Sequence, residues 1–71
     1  MIYSEVSGII SEILVSKNQI IDKEEDLLII ECMKMLIPIS AEKKGKVINV
    51  FVNEGDLINE GDKLLDINYD Y

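Results

Sequence analysis

The sequence has no histidine, no arginine and only one cysteine. Zinc sites and Cys/His nucleophile pairs need these residue types in groups, so the composition excludes both. Cys32 has no partner for an internal disulfide, and the N-terminus shows no signal peptide, so we expect a reducing, cytoplasmic location. No apolar run approaches the ~18 residues of a membrane span, and we therefore expect no membrane insertion.

Positive charge is also scarce. Seven lysines face fourteen Asp and Glu residues, which gives a net charge of −7. This is the wrong sign for phosphate backbones, so a nucleic-acid partner is not expected. No pair of carboxylates is marked out as acid and base, and we assign no catalytic residue and no metal ligand. The length predicts one small domain over residues 1–71, and its acidic surface favours a monomer.

Apolar residues make up 48% of the chain and cluster in short runs separated by Gly, Asn, Asp and Lys. They do not follow a helical stripe, so the pattern predicts an all-β fold. Pro38 donates no ladder hydrogen bond and must lie on an edge strand or at a bulge. We predict eight strands: Ile2–Val6, Gly8–Val15, Ile20–Ile21, Leu27–Met33, Met35–Ser40, Gly45–Val52, Leu57–Ile58 and Leu64–Ile67.

The chain repeats itself without gaps at an offset of 37 residues, the distance from Gly8 to Gly45. Segment 8–31 aligns with segment 45–68, and apolar positions fall on apolar positions. We expect two copies of one half-barrel to bury a shared core about a pseudo-twofold axis. The matched apolar pairs are Ile10/Val47, Ile13/Val50, Val15/Val52, Ile20/Leu57, Ile21/Ile58, Leu27/Leu64, Leu28/Leu65 and Ile30/Ile67.

The second copy has two "NEGD" turns, in which Gly55 and Gly61 can adopt positive φ at no steric cost. In the first copy Asn18 replaces Gly55, and Glu24 replaces Gly61. Asn tolerates the left-handed region fairly well, whereas Glu tolerates it poorly. The turn at Glu24 therefore either takes another shape or stores strain, and we expect it to be the looser of the two.

Between the two copies lies "ECMKML", in which Lys34 stands between Met33 and Met35. We expect a tight hairpin here that holds a lone primary amine out on a rigid scaffold, a position suited to enzymatic acylation. The ordinary interpretation is a solvated turn lysine beside two core methionines. Against it, only this lysine of the seven lies inside an apolar tract. An apolar collar around an amine is typical of a recognition surface.

These residues resemble a known family. "ECMKM" is similar to the biotin-attachment motif of biotin carboxyl carrier domains, usually Glu-Ala-Met-Lys-Met. The continuation "LIPISAEKKGKVINVFVNEGDLINEGDKLL" is similar to the second half of those domains. The resemblance covers nearly the whole chain and is strongest to the small biotin/lipoyl attachment proteins of bacteria.

The resemblance implies a flattened β-barrel of two four-stranded antiparallel sheets. It implies that Lys34 is biotinylated, that a biotin protein ligase reads Met33 and Met35, and that Glu31 matches the family's acidic position. Cys32 replaces the usual Ala, and we expect no redox role for it. The carrier would be a non-catalytic shuttle between a biotin carboxylase and a carboxyltransferase.

Other interpretations stay open. A lipoyl carrier has the same fold and hairpin lysine, although the flanking methionines favour biotin over lipoate. An unmodified barrel could serve as an adaptor module, with Lys34 carrying nothing. A fragment of a larger carboxylase would change the partners but not Lys34. The early first strand and the lack of an Ala/Pro-rich linker favour a small independent protein.

Overall fold

The computed structural model describes all 71 residues, Met1–Tyr71, and places them in eight β-strands. The all-β prediction is confirmed, with the ends of several strands moved by one to three residues. No helix in the structure has the length and apolar character needed to cross a bilayer. The strands are β1 Ile2–Tyr3, β2 Gly8–Ile13, β3 Ile20–Ile21, β4 Asp26–Cys32, β5 Met35–Ser40, β6 Gly45–Val50, β7 Leu57–Ile58 and β8 Lys63–Asn68.

The strands form two four-stranded sheets with the orders β1-β8-β6-β3 and β5-β4-β2-β7, and every pairing is antiparallel. The repeat pairs β1 with β5, β2 with β6, β3 with β7 and β4 with β8. Exchanging the members of each pair turns one strand order into the other, so the predicted pseudo-twofold relation is confirmed. The bulges obey it too. Pairing shifts between Ile10 and Glu12 in β2, and at the equivalent residues Val47 and Asn49 in β6.

The hydrophobic core is nearly symmetric. Six of the eight predicted apolar pairs are buried, and Ile13 and Val50 are half-buried against them. Ala41 is the remaining core residue, and its repeat partner Ser4 is also buried. The buried pairs are Ile10/Val47, Val15/Val52, Ile21/Ile58, Leu27/Leu64, Leu28/Leu65 and Ile30/Ile67.

One predicted core pair is wrong. Ile20 is 40% exposed and Leu57 is 81% exposed. Each belongs to a strand of two residues, β3 or β7, whose second residue is buried. Because successive side chains in a strand point to opposite faces, the first residue must face outward.

Two further expectations concern the chain's local course. Pro38 lies in β5, which is the edge strand of its sheet, as predicted. The first strand ends at Tyr3 rather than Val6. It ends there because the Ser4 hydroxyl donates a 2.5 Å hydrogen bond to the Val6 carbonyl oxygen and accepts one from the Val6 N–H, which turns the chain.

The turns of the first copy keep the backbone shape of their glycine-containing partners. Asn18 has φ 74° and Glu24 has φ 68°, beside 91° for both Gly55 and Gly61. Of the two alternatives for Glu24, the structure therefore shows the strained one, since a bulky residue is costly in the left-handed region.

Candidate modification site

The candidate site is the hairpin between β4 and β5. Its loop is Met33–Lys34, closed by the opposed residues Cys32 and Met35. Met33 has φ 53° and Lys34 has φ 64°, the pair of positive values that defines a type I′ turn. This turn matches the twist of the two strands, so β4 and β5 stay paired up to the loop.

Met33 and Lys34 are unfavourable residues for a type I′ turn. Type I′ turns favour Asn-Gly, and side chains such as Met and Lys in the left-handed region cost ~1–2 kcal/mol each. Packing of the hairpin strands offsets this strain. β4 lies between β2 and β5 in its sheet, and its Leu27, Leu28 and Ile30 are fully buried. Strained loop residues on a rigid support are typical of functional sites.

The Lys34 side chain is exposed, and its neighbours form an apolar collar around it. Met33 is 90% exposed and Met35 is 66% exposed. No carboxylate lies within 4.0 Å of the Lys34 amine. The one ion pair of the structure joins the N-terminal amine and Asp66. The amine is therefore held by nothing in its own chain and can reach a partner protein.

Other lysines are engaged differently. The Lys43 and Lys46 amines lie 5.9 and 5.4 Å from the ring centres of Tyr69 and Tyr71. Such cation–π contacts hold an amine against the protein surface. Lys34 has no such contact, which sets it apart from these two lysines.

Glu31 and Cys32 lead into the turn. Glu31 is exposed on the outer face of β4, opposite Ile9 on one side and Leu36 on the other. Its carboxylate is thus flanked by apolar side chains. Cys32 is half-buried and its thiol is free. The structure brings Glu31, Met33, Lys34 and Met35 together at one end of β4 and β5.

The sequence reasoning missed Ile9 and Leu57. These residues lie opposite each other in β2 and β7, on the outer face of the same sheet as Glu31. Ile9 is 43% exposed and Leu57 81%. The signal was available, since the short strand Leu57–Ile58 can bury only one of its two side chains.

Comparison with known proteins gives a consistent result. A family model described as a biotin-requiring enzyme matches residues 1–67. A biotin/lipoyl attachment protein of Bacillus subtilis is 40% identical over 63 residues, which are 89% of this chain and 86% of that one. A biotinylated protein TB7.3 homolog of Mycobacterium leprae is 39% identical over 59 residues, covering 83% of each chain.

Much longer proteins contain similar segments. A urea amidolyase of Saccharomyces cerevisiae is 40% identical over 62 residues, which are 87% of this chain but only 3% of the yeast protein. The crystal structure of the Kluyveromyces lactis urea carboxylase superposes with a TM-score of 0.84 at 29% identity, covering 92% of this chain and 6% of that one.

Proposed function

The chain belongs to the biotin/lipoyl attachment family of biotin-requiring enzymes, and on that premise we propose that Lys34 carries covalently bound biotin. The observation that carries the proposal is the isolated Lys34 amine on a rigid type I′ turn, with an exposed methionine on each side. The M. leprae relative, whose name describes it as biotinylated, supports biotin as the attached group.

The residues present fit this group. Attachment needs an amine that can enter another enzyme's active site, and Lys34 is exposed and without an ion-pair partner. Its neutral amine would attack the activated carboxyl carbon of biotin. The new amide bond replaces the bond to the leaving group, and the amine proton goes to solvent or to a ligase base. The charge of Lys34 is lost.

Met33, Met35 and Glu31 are the residues that we propose a biotin protein ligase reads. The methionines offer flexible apolar surface that packs against a partner, and Glu31 adds one carboxylate beside them. A complementary ligase surface would present an apolar pocket with one cationic group. The ligase would then select the hairpin and not merely any exposed lysine.

After attachment the domain acts as a carrier. Biotin held on Lys34 would supply a site for reversible carboxylation, and the domain would carry that carboxyl group between a biotin carboxylase and a carboxyltransferase. The chain's contribution is a rigid barrel that presents the arm, and a tether that keeps it at a local concentration on the order of millimolar. The similar structure of the K. lactis urea carboxylase supports a carboxylase context.

We propose that residues 1–71 work as one monomeric carrier domain without catalytic residues of its own. The free thiol of Cys32 fits a reducing cytoplasm. Lipoate is the second candidate group, since the B. subtilis relative is named for attachment of both biotin and lipoate.

Intact mass of the protein from cells supplied with biotin and lipoate tests the proposal, with fragmentation to locate the adduct. We expect one biotin-sized increment on Lys34. Lys34→Arg should abolish it, whereas Lys23→Arg, a change at another exposed turn lysine, should not. A lipoate-sized increment would show that the group attached to the protein is lipoate and not biotin. An unmodified Lys34 in the presence of both ligases would overturn the carrier function.

A further inference from the structure

A shallow groove lies beside the Lys34 hairpin, between the ends of β2, β4 and β7. Its volume is about 510 Å³, and it is open to solvent along one side. Met33, the residue next to Lys34, forms part of its wall. The groove is also lined by Ser7, Ile9, Glu31, Leu57 and Asn59.

The groove combines apolar surface with unused hydrogen-bonding groups. Ile9, Met33 and Leu57 expose apolar side chains. The Asn59 backbone is used in a turn with Asp62, while no protein group hydrogen-bonds its carboxamide. The Ser7 hydroxyl accepts a 3.3 Å hydrogen bond from the Glu60 N–H and keeps its own proton to donate.

This set matches the chemistry of the biotinyl group. Its valeryl chain and thioether ring are apolar, and its ureido ring has two N–H donors and one carbonyl acceptor. The Glu31 carboxylate and the Asn59 carboxamide oxygen can accept from the N–H groups. The Ser7 hydroxyl and the Asn59 amide can donate to the carbonyl.

The other half of the barrel has an aromatic side chain at the position equivalent to Lys34. The 37-residue offset places Lys34 on Tyr71 and Ile9 on Lys46. There the Tyr71 ring lies 5.4 Å from the Lys46 amine. The side chains at the positions equivalent to Lys34 and Ile9 thus lie close together on that surface.

The same offset explains why only one half has an open groove. Cys32 corresponds to Tyr69, whose Cδ1 lies 3.3 Å from the place where a Cβ on Gly45 would be. Gly45 corresponds to Gly8 in the groove wall. Tyrosine side chains therefore cover the second copy's surface, while the small Cys32 side chain leaves the first copy's surface uncovered.

We propose that the biotinyl group on Lys34 folds back into this groove whenever no partner protein holds it. The inference rests on the proposed function, that Lys34 carries biotin. Because the tether makes the encounter intramolecular, with an effective concentration on the order of millimolar, even weak binding populates the folded-back state. A partner enzyme then competes with the groove for the arm.

The test compares unmodified and biotinylated protein by methyl NMR, after intact mass has shown the adduct on Lys34. We expect nuclear Overhauser contacts between biotin ring protons and the methyl groups of Ile9 and Leu57. Shifts on biotinylation should be confined to the groove. Ile20, the repeat partner of Leu57, is the internal control and should not shift.

Variants separate the groove from the hairpin. Leu57→Ser and Ile9→Lys should both remove the contacts, and the second introduces the residue that Lys46 already supplies in the other half. Avidin should then capture the biotin roughly two- to fivefold faster, because the exposed fraction of the arm rises. Ile20→Ser on the opposite sheet should change neither measurement.

The outcomes distinguish the two proposals. A biotin adduct on Lys34 with no contacts to Ile9 or Leu57, and with unchanged avidin capture in both variants, overturns the groove alone. No adduct on Lys34 in cells with an active ligase overturns the proposed function and the groove with it.

Discussion

The backbone N–H of Glu24 donates a 2.7 Å hydrogen bond to the carbonyl oxygen of Ala41. The repeat-equivalent bond runs from Gly61 to Ser4 at 2.8 Å. Both bonds cross from one half of the barrel to the other, and in both the donor residue lies in the left-handed region. The cross-barrel bond thus holds Glu24 in a conformation that its side chain disfavours.

Replacing Glu24 by glycine should stabilise the protein. A left-handed conformation costs a bulky residue ~1–2 kcal/mol, and glycine adopts it freely. Part of this gain is offset by the larger entropy of glycine in the unfolded chain, so we expect Glu24→Gly to raise the free energy of unfolding by roughly 1 kcal/mol. Urea denaturation would measure it.

Asn18→Gly is the matched control for Glu24→Gly. Asn18 has φ 74° and donates a cross-barrel bond of its own, 2.7 Å long, to the Val47 carbonyl oxygen. Asn tolerates this region better than Glu, so its replacement should have the smaller effect. If Glu24→Gly lowers stability, Glu24 is not strained and its side chain contributes an interaction of its own.

The turn at Glu24 also shows where sequence reasoning stops. Local preference disfavours the left-handed region for Glu, so the residue alone pointed to strain or to another shape. A contact with Ala41, seventeen positions further along the chain, decides between them. The conformational preference of a single residue does not include the effect of such a distant partner.

The strands of the two copies were predictable for a different reason. The 37-residue repeat averages over two copies of the same half-barrel, so errors in one copy are corrected by the other. Matching apolar positions in the two copies does not show which face of a strand a side chain lies on. Ile20 and Leu57 were assigned to the core for that reason. The groove beside Lys34 includes the outward-facing Leu57, and assigning Leu57 to the core left this groove out of the sequence-based predictions.

Gly8 and Gly45 allow a paired test of hairpin position. A Cβ on Gly8 would overlap the Glu31 carbonyl oxygen, and one on Gly45 would lie 2.8 Å from the Asn68 carbonyl oxygen. We expect each change to Ala to cost roughly 1–3 kcal/mol by overpacking. Only Gly8→Ala displaces the strand end that carries the hairpin, so only it should slow biotinylation.

Stability by urea denaturation and the initial rate of biotinylation by a purified ligase would be measured for both glycine variants, at a temperature where both are folded. Equal slowing in Gly8→Ala and Gly45→Ala would show that the rate follows global stability. It would then not depend on where β4 ends.

Alkaline pH should weaken the fold through Tyr69. Burial, and after it the Glu42 carboxylate, raise the pKa of Tyr69 above its ordinary value of 10.0. The native state thus favours the neutral phenol, and its stabilisation is fully present below pH 10.0 and is lost as pH rises through the folded-state pKa. As pH rises above 10.0, the urea midpoint should decrease, and it should decrease less steeply in Tyr69→Phe. An identical fall in both proteins would exclude Tyr69 as the cause.

Met33 should reveal a conflict between hairpin stability and recognition. Met33 has φ 53° at the first position of the type I′ turn, where Asn is preferred. Met33→Asn should therefore raise the free energy of unfolding by roughly 0.5 kcal/mol through relief of left-handed strain. The same change removes half of the apolar collar around Lys34 and should slow biotinylation.

Met33→Leu is the control, because it keeps the apolar volume and leaves the turn strain in place. We expect its stability and its biotinylation rate to stay near those of the wild type. Urea denaturation and ligase kinetics on the three proteins would separate the two effects. If Met33→Asn is modified as fast as the wild type, the ligase does not read the Met33 side chain, and recognition must depend on Met35, on Glu31 or on the barrel itself.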